Sequence, residues 1–263
     1  MDLGLGGKRA VVLAASRGLG YACAAGLARE GCDLVICSRD VGRIEAAAER
    51  IHLETGARVQ PIAADVSLEH GPRAVVEACV AQYGGLEIAI HNAGGPPPGD
   101  FRSIPADAWY RAFDANLMSF VRLVQEAAPH MKRAGYGRIL AITSSSIKQP
   151  IPNLVLSNAL RTGVLGIAKT LSKELAADRI LVNVIAPGRI ATERLREVDE
   201  ATAWQTGQTI EEIRRTSVAA IPLGRLGEPE ELAHLAVFLA SAAASYITGT
   251  AIQVDGGMVT ALS

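Results

Sequence analysis

Ser157 and Arg161 stand four residues apart in the segment "SNALR", at the start of a stretch with helical periodicity. Residues with this spacing lie on one face of a helix, so a hydroxyl and a guanidinium can reach the same bound ligand. An aliphatic hydroxyl is a far weaker acid than a phenol, whose pKa is ~10, and a guanidinium keeps its proton at neutral pH. The pair can therefore hydrogen-bond a ligand and supply positive potential, but neither residue is a proton donor.

A glycine-containing turn, "AASRGLG", follows the first predicted strand, and Gly18 and Gly20 open the next helix. Such a turn lets the backbone approach a pyrophosphate at the positive end of the helix. The segment "CSRD" ends the second predicted strand, where a dinucleotide fold meets the adenosine ribose. Ser38 and Arg39 there, with Arg17 in the turn, favour a 2′-phosphate and hence NADP(H) over NAD(H). The alternative for each arginine is a solvated surface charge.

The elements that must position these residues alternate between short β-branched runs and longer Ala-rich helical segments. This alternation predicts βαβ units, that is, one α/β domain over residues 1–263 with a doubly wound (Rossmann) seven-stranded parallel sheet and helices on both faces. Two segments interrupt the rhythm: a Gly/Pro loop at 94–101, and residues 189–223, which we interpret as a helical flap over the substrate site. The predicted helices span residues 19–30, 41–55, 71–83, 107–134, 157–177 and 229–241.

Composition narrows the class of partner. The 26 Lys and Arg residues nearly cancel the 27 Asp and Glu residues, so the balance favours a small-molecule ligand over nucleic acid. Polar residues interrupt the uncharged stretch 232–254, and the N-terminus lacks the pattern of a signal peptide, so we expect a cytoplasmic protein that does not enter a membrane. No metal-ligand spacing is present, and we expect buried free thiols at Cys23, Cys32, Cys37 and Cys79.

Several motifs together resemble those of the short-chain dehydrogenase/reductase family, in particular the 3-oxoacyl-carrier-protein reductases. "AASRGLG" resembles the family's T-G-x-x-x-G-x-G turn, with Ala14 in place of the first glycine, and "HNAG" at 91–94 resembles N-N-A-G. "ADV" matches a segment that contacts adenine through its Asp, "NVIAPGRIAT" matches the segment around the nicotinamide, and "YITGTAIQVDGG" matches the last strand. The family has a Lys that holds the cofactor's ribose, and Arg161 occupies its position. This position and the motifs together imply the following cofactor-binding residues: Ala14, Ser16, Arg17, Gly18, Leu19, Gly20, Ser38, Arg39, Asp65, Val66, Asn92, Ala93, Gly94, Arg161, Pro187, Gly188, Ile190 and Thr192.

The resemblance also implies a catalytic site, but with two departures. In the family a Ser positions the carbonyl, a Tyr donates the proton, a Lys four residues later lowers the Tyr pKa and holds the ribose, and an Asn steadies a water relay. Ser144 and Asn116 match the Ser and the Asn, whereas Ser157 and Arg161 fall on the Tyr and Lys positions. Y-x-x-x-K has become S-x-x-x-R, so we expect retained cofactor binding without the usual acid. Lys148 is a candidate substitute acid, its alternative being an exposed loop lysine.

These observations lead to three hypotheses. The first is an atypical NADP(H)-dependent oxidoreductase acting on a carbonyl or alcohol substrate. The second is a noncatalytic NADP(H)-binding sensor or structural protein, and the third and weaker one is non-redox chemistry in which Arg161 stabilises an oxyanion. The resemblance further implies a homodimer or homotetramer built through the helices at 107–134 and 157–177. We expect partly apolar walls for the substrate pocket from Pro96, Pro97, Trp204 and Ile210.

Overall fold

The computed structural model describes residues 2–262 and contains one all-parallel seven-stranded sheet. Its strands are β1 (Arg9–Val12), β2 (Asp33–Ser38), β3 (Val59–Ala63), β4 (Ile88–His91), β5 (Gly137–Ile142), β6 (Ile180–Pro187) and β7 (Ala251–Val254). They lie in the order β3-β2-β1-β4-β5-β6-β7, so the direction of winding reverses between β1 and β4. In open α/β sheets ligands bind beyond the carboxyl ends of the strands at such a reversal. The predicted fold class is confirmed.

Helices cover both faces of the sheet. The helices are α1 (Gly18–Arg29), α2 (Val41–Thr55), α3 (His70–Tyr83), α4 (Ala106–Phe113), α5 (Ser119–Ala134), α6 (Val155–Glu174), α7 (Glu193–Thr206), α8 (Ile210–Ala219) and α9 (Pro229–Ala240). One apolar core packs α1, α2 and α9 on one face, and a second packs α3, α5 and α6 on the other. All four cysteines are buried, as predicted, and burial raises the pKa of each thiol to about 12.

The helix predicted at residues 107–134 is not one uniform α-helix. A π-helical turn, Asp114–Met118, separates α4 from α5 and contains Asn116. A π-turn inserts an extra residue without ending the helix, so a sequence prediction of one continuous helix over this segment does not locate it. The turn rotates the buried Asn116 side chain toward the carboxyl ends of the strands, where Asn116 lines a cavity.

The segment that interrupts the βα alternation after β6 forms α7 and α8. Thr192 caps the start of α7 by accepting a hydrogen bond from the amide of Leu195 at 3.2 Å. Thr209 and Glu212 form a capping box at the start of α8. No helix between residues 2 and 262 has both the length and the apolar character that crossing a membrane requires.

Candidate active site

One cavity of about 1380 Å³ opens at the carboxyl ends of the strands. Every residue that the sequence singled out for cofactor binding or catalysis lines it, except Gly20 and the candidate substitute acid Lys148. We call the part around Ala14, Gly18, Ser38 and Arg39 the cofactor end. The part around Asn116, Ser144, Ser157 and Arg161 is the reaction end. The two sets, up to 147 residues apart in the chain, therefore share one continuous space.

The glycine turn shapes the cofactor end through its backbone. Ala14 has a φ of +48°, in the left-handed region, and the side-chain amide of Asn92 donates to its carbonyl oxygen at 3.0 Å. Helix α1 begins at Gly18, so its first backbone amides have no hydrogen-bond partner within the helix and face the cofactor end. Gly20 lies behind the turn, where a Cβ atom would be 2.5 Å from the Ala14 oxygen. The turn therefore presents backbone N–H donors to the cavity. A side chain at position 20 would push against the Ala14 carbonyl and change the shape of the turn.

Arg17 and Arg39, which are predicted to bind the 2′-phosphate on the adenosine ribose, have different surroundings. Arg39 is exposed, and no carboxylate among residues 2–262 forms an ion pair with it. Arg17 forms ion pairs with Glu193 and, at 3.3 Å, with Glu197, both on α7. Ser38 donates from its hydroxyl to the backbone oxygen of Asp40 at 2.9 Å. Arg39 is thus available to a ligand, whereas a ligand must compete with two glutamates for Arg17.

The other predicted cofactor residues lie at the ends of β3, β4 and β6. One carboxylate oxygen of Asp65 accepts from the amide and hydroxyl of Ser67 at 2.9 and 2.7 Å, which leaves the second oxygen available. Gly188 donates its amide to Val254 at 2.9 Å, and a Cβ atom there would lie 2.6 Å from that of Asp255. Val66, Ala93, Gly94, Pro187, Ile190 and Thr192 complete the lining of this part.

Three serines meet at the reaction end. Ser144 follows β5, and its hydroxyl oxygen accepts from the amide of Ser146 at 3.1 Å. The hydroxyls of Ser146 and Ser157 lie 3.2 Å apart and share a hydrogen bond. Ser157 is buried, with 6% of its surface exposed, yet it lines the cavity. Ser157 therefore has a partner of its own and is held in place beside Ser144.

Arg161 is buried on the same face of α6. Its Nη1 donates to the carbonyl oxygens of Ile142 at 3.1 Å and Thr143 at 2.7 Å, at the end of β5. Burial, with a smaller contribution from the charge of Arg194, lowers the pKa of Arg161 to about 10. The guanidinium is therefore still protonated at neutral pH. It places a positive charge at the reaction end.

Asn116 and His91 each have a buried atom without a partner. Asn116 donates from Nδ2 to the oxygen of Ala112 at 3.2 Å, and its Oδ1 has no hydrogen-bond partner among the described residues. The Ser119 hydroxyl donates to Ala115, so it accepts from His91 Nε2 at 2.8 Å, which leaves His91 Nδ1 unprotonated and unpaired. Burial lowers the pKa of His91 to about 3, with a smaller contribution from Arg161. His91 is therefore a neutral, buried residue at the end of β4.

Comparison with known proteins decides the family. Residues 13–259 match a family model described as Enoyl-(Acyl carrier protein) reductase. The chain belongs to the short-chain dehydrogenase/reductase family. It is 33% identical to the NADPH-dependent reductase BacG of Bacillus subtilis, over 95% of this chain and 97% of that protein. It is 32% identical to the 3-oxoacyl-[acyl-carrier-protein] reductase FabG of Aquifex aeolicus, over 98% of this chain and 100% of that protein.

A solved structure extends this similarity to three dimensions. The L-sorbose reductase of Gluconobacter frateurii, complexed with NADPH and L-sorbose, superposes with a TM-score of 0.94 at 33% identity, and the alignment covers 100% of both chains. Membership of the short-chain dehydrogenase/reductase family and the general oxidoreductase function of its relatives agree with the sequence prediction.

The proton donors in the cavity of this short-chain dehydrogenase/reductase are limited to a few residue types. Its lining within residues 2–262 includes no Tyr, Lys, His or Cys. Lys148, the candidate substitute acid, does not line the cavity. The ionisable side chains that do are arginines and carboxylates. At the reaction end lie the buried Ser157 and the buried cation Arg161.

Helix α7 is tied to this reductase-family site by contacts that the sequence did not reveal. Arg194 donates to the oxygen of Pro96 at 2.8 Å, and Arg189 forms an ion pair with the buried Asp199. Arg17 pairs with Glu193 and Glu197 over about 180 residues of chain, so no local spacing could predict the contact. Pro96 and Pro97 line the cavity as expected. Trp204 and Ile210 do not, and Trp204 is 86% exposed because it lies on the outer face of α7, so that part of the prediction is wrong.

Proposed function

We propose that this chain is an atypical NADP(H)-dependent oxidoreductase that acts on a carbonyl or alcohol substrate, with S-x-x-x-R in place of the family's Y-x-x-x-K. One observation carries the proposal. A single cavity joins the glycine turn and the unpaired Arg39 to Ser144, Asn116 and Arg161. A binding cradle and a polar, positively charged reaction end in one space are what a nicotinamide-dependent reaction needs.

The residues at the cofactor end fit a dinucleotide. Unpaired amides at the start of α1 suit a pyrophosphate, and the position of Gly20 leaves the backbone open to it. Arg39 suits the 2′-phosphate of NADP(H), since a guanidinium binds phosphate through two N–H groups. These residues line the cavity, and the family resemblance implies that Asp65 and Val66 contact adenine and that Pro187, Gly188, Ile190 and Thr192 hold the nicotinamide. BacG is named as NADPH-dependent and the sorbose reductase contains NADPH, which supports the same choice here.

When bound, the nicotinamide would supply or accept the hydride. The chain's own residues would bind and polarise the substrate oxygen during that transfer. Ser144, Arg161 and Asn116 line the same cavity, which supports a role for Ser144 as hydrogen-bond donor to that oxygen, for Arg161 as the source of positive potential, and for Asn116 in shaping the site. Ser157 holds Ser146 through their shared hydrogen bond and is not the acid. Arg161 also takes over the ribose contact of the family's Lys.

The test is a cofactor titration paired with a turnover assay. NADPH and NADH are titrated separately, and oxidation of NADPH is then followed with ketones, aldehydes and 3-oxoacyl compounds. Tight NADPH binding together with turnover supports the proposal. Tight NADPH binding without turnover of any carbonyl compound contradicts the proposal and favours the noncatalytic sensor. The absence of a phenol at position 157 also supports that alternative. Weak binding of both cofactors contradicts both functions.

The proposal includes the organisation and location of the protein. Residues 1–263 form one domain in which α7 and α8 act as the substrate flap, since α7 touches both the glycine turn and the loop at Pro96. The protein is cytoplasmic and assembles as a homodimer or homotetramer through α5 and α6, as the family resemblance implies. Light scattering at micromolar concentration tests the assembly, and a monomer would contradict it.

A further inference from the structure

Arg17 connects the glycine turn to the start of α7. Its guanidinium forms ion pairs with Glu193 and, at 3.3 Å, with Glu197, which lie one turn apart on α7. All three side chains line the cavity. The turn and the helix are close, since a Cβ atom built at Gly18 would lie 3.6 Å from Cγ2 of Thr192, the residue that caps α7. We call Arg17, Glu193 and Glu197 the latch, because their ion pairs hold α7 against the turn.

The two glutamates of the latch differ in their other partners. Glu197 also pairs with Arg194 at 3.3 Å, so it keeps a cation when Arg17 is taken by another anion. Glu193 pairs with Arg17 alone among the cations of residues 2–262. A phosphate that takes Arg17 therefore leaves Glu193 as an unpaired negative charge beside a second negative charge. Their repulsion favours movement of the first turns of α7 away from the glycine turn.

A phosphate monoester can replace the ion pairs of the latch. The three side chains are between 44% and 54% exposed, and ion pairs as exposed as these contribute little to stability. A phosphate monoester carries a charge of roughly −1.5 to −2 at neutral pH and accepts two parallel N–H bonds from a guanidinium. It therefore binds Arg17 more strongly than a single carboxylate does. The 2′-phosphate of NADP(H), which the sequence analysis assigns to Arg17 and Arg39, is such a monoester.

Other contacts keep α7 on the protein when the latch opens. Asp199, in the middle of the helix, is 1% exposed and forms an ion pair with Arg189, which follows β6. The first turn keeps the hydrogen bond from Arg194 to the oxygen of Pro96 at 2.8 Å. Neither contact involves a residue of the latch. The latch therefore controls how firmly the first turns of α7 are held, and the rest of the helix stays in place.

We infer that the latch and the 2′-phosphate of the cofactor compete for Arg17, so that cofactor binding releases the first turns of α7 from the glycine turn. This inference rests on the proposed function, in which α7 is part of the substrate flap. Leu195, Val198 and Thr202 of α7 line the same cavity, so the release changes the wall that a substrate meets. The two glutamates are positioning residues, since they act through Arg17.

The first experiment measures the competition by cofactor binding. NADPH is titrated by fluorescence against the wild type, Glu193→Gln, Arg17→Gln and the double variant at low ionic strength, where charges are screened least. We expect Glu193→Gln to bind NADPH about threefold more tightly, because a partly exposed ion pair no longer competes for Arg17. In the Arg17→Gln background the same replacement should change the affinity by less than about 1.5-fold, since the two residues act as a pair.

Two controls accompany this titration. NADH lacks the 2′-phosphate, so Glu193→Gln should leave NADH binding nearly unchanged. Glu200→Gln removes the same charge from the same helix, but Glu200 pairs with Arg196 at 3.6 Å and does not line the cavity. Glu200→Gln should therefore bind NADPH like the wild type.

Hydrogen exchange of the α7 backbone amides tests the release itself. The probe is adenosine 2′,5′-bisphosphate, which carries the 2′-phosphate but has no nicotinamide. We expect a saturating concentration to speed exchange in α7 at least about threefold in the wild type, because the freed turns open more often. Arg17→Gln should show the faster exchange without the probe, and the probe should not speed it further.

Several results would overturn the inference and leave the proposed function intact. They are equal NADPH affinity of the wild type and Glu193→Gln, an equal gain with NADH, and an equal gain in Glu200→Gln. A gain that persists in full in Arg17→Gln would mean that Glu193 repels the cofactor without holding Arg17, and unchanged or slower exchange in α7 with the probe would mean that the flap is not released. If Arg17→Gln does not fold, the Glu200→Gln comparison and the wild-type exchange still decide. Weak wild-type binding of both NADPH and NADH would overturn the proposed function together with the inference.

Discussion

At the cofactor end of the cavity the shape is set by backbone atoms, whereas at the reaction end it is set by side chains. The carbonyl of Ala14, the left-handed φ of that residue and the amides that open α1 define the first region. The hydroxyls of Ser144 and Ser157 and the guanidinium of Arg161 define the second. Backbone geometry tolerates exchange of most side chains, but proton chemistry does not. One fold can therefore keep its cofactor cradle while its reaction changes.

The largest effect is expected from restoring the family's residues at the reaction end, which should raise the rate of ketone reduction. Ser157→Tyr combined with Arg161→Lys places a phenol and a compact cation at the reaction end, inside a cavity that has room for them. We expect the double variant to reduce saturated ketones about 100-fold faster than the wild type, since a positioned acid contributes about that much or more. Steady-state rates of NADPH oxidation measure the gain.

Single variants serve as controls for this prediction. The rate gains of Ser157→Tyr and of Arg161→Lys, measured separately and then combined, should be smaller than the gain of the double variant, because each replacement needs the other. Ser157→Ala should change native turnover less than tenfold. If Ser157→Ala abolishes turnover while NADPH binding persists, Ser157 is a direct catalyst and the assignment is wrong.

The choice of cofactor should depend on a side chain within the otherwise backbone-built end. Arg39→Ala should weaken NADPH binding by about 1–3 kcal/mol, the strength of a hydrogen bond to a charged group, and leave NADH binding nearly unchanged. Arg17→Ala should cost less, because Glu193 and Glu197 already partner Arg17. Fluorescence titration with both cofactors measures this. Equal losses for NADPH and NADH would contradict the role of Arg39.

Beneath the reaction end, His91 should make stability depend on pH. The imidazole has a pKa of about 3 in the folded protein and about 6.5 when unfolded. Below pH 6.5 the unfolded chain binds a proton that the folded protein does not, so the free energy of unfolding falls by about 1.4 kcal/mol per pH unit down to about pH 3. His91→Asn removes this titration. Urea unfolding at pH 7.5 and 5.5 should show a smaller acid-induced loss for the variant.

The quantity to compare is the change in the free energy of unfolding between pH 7.5 and pH 5.5, measured for the wild type and for His91→Asn. The absolute values are not compared, because replacing a buried side chain also changes stability at neutral pH. His130 titrates in both proteins and cancels in that difference. An equal loss on acidification in the wild type and in His91→Asn would show that His91 takes up a proton in the folded state.

The same contrast explains how far the sequence could predict the structure. The sheet, its helices and the position of the glycine turn follow from periodicity and motif spacing, which depend on local chain order. The π-turn at Asn116 does not end the helix, and the sequence analysis predicted one continuous helix there. The pairing of Arg17 with Glu193 joins residues far apart in the chain, and the hydrogen bond between Ser146 and Ser157 spans the loop between β5 and α6, whose conformation no motif specifies. Within residues 2–262 no carboxylate forms an ion pair with the buried Arg161, which depends on which side chains do not approach it, and no motif encodes this.

The smallest effect is expected at Ala14, where the backbone of the cofactor end can be tested directly. A non-glycine residue in the left-handed region costs ~1–2 kcal/mol, and glycine gives back about 0.4–1 kcal/mol through the greater entropy of the unfolded chain. Ala14→Gly should therefore stabilise the protein by about 0.5–1 kcal/mol in urea unfolding. Ala220→Gly is the matched control at an exposed residue with an ordinary φ of −82°, and it should destabilise. If both variants destabilise equally, the turn does not impose the left-handed conformation, and the cofactor end is less dependent on its backbone than we argue.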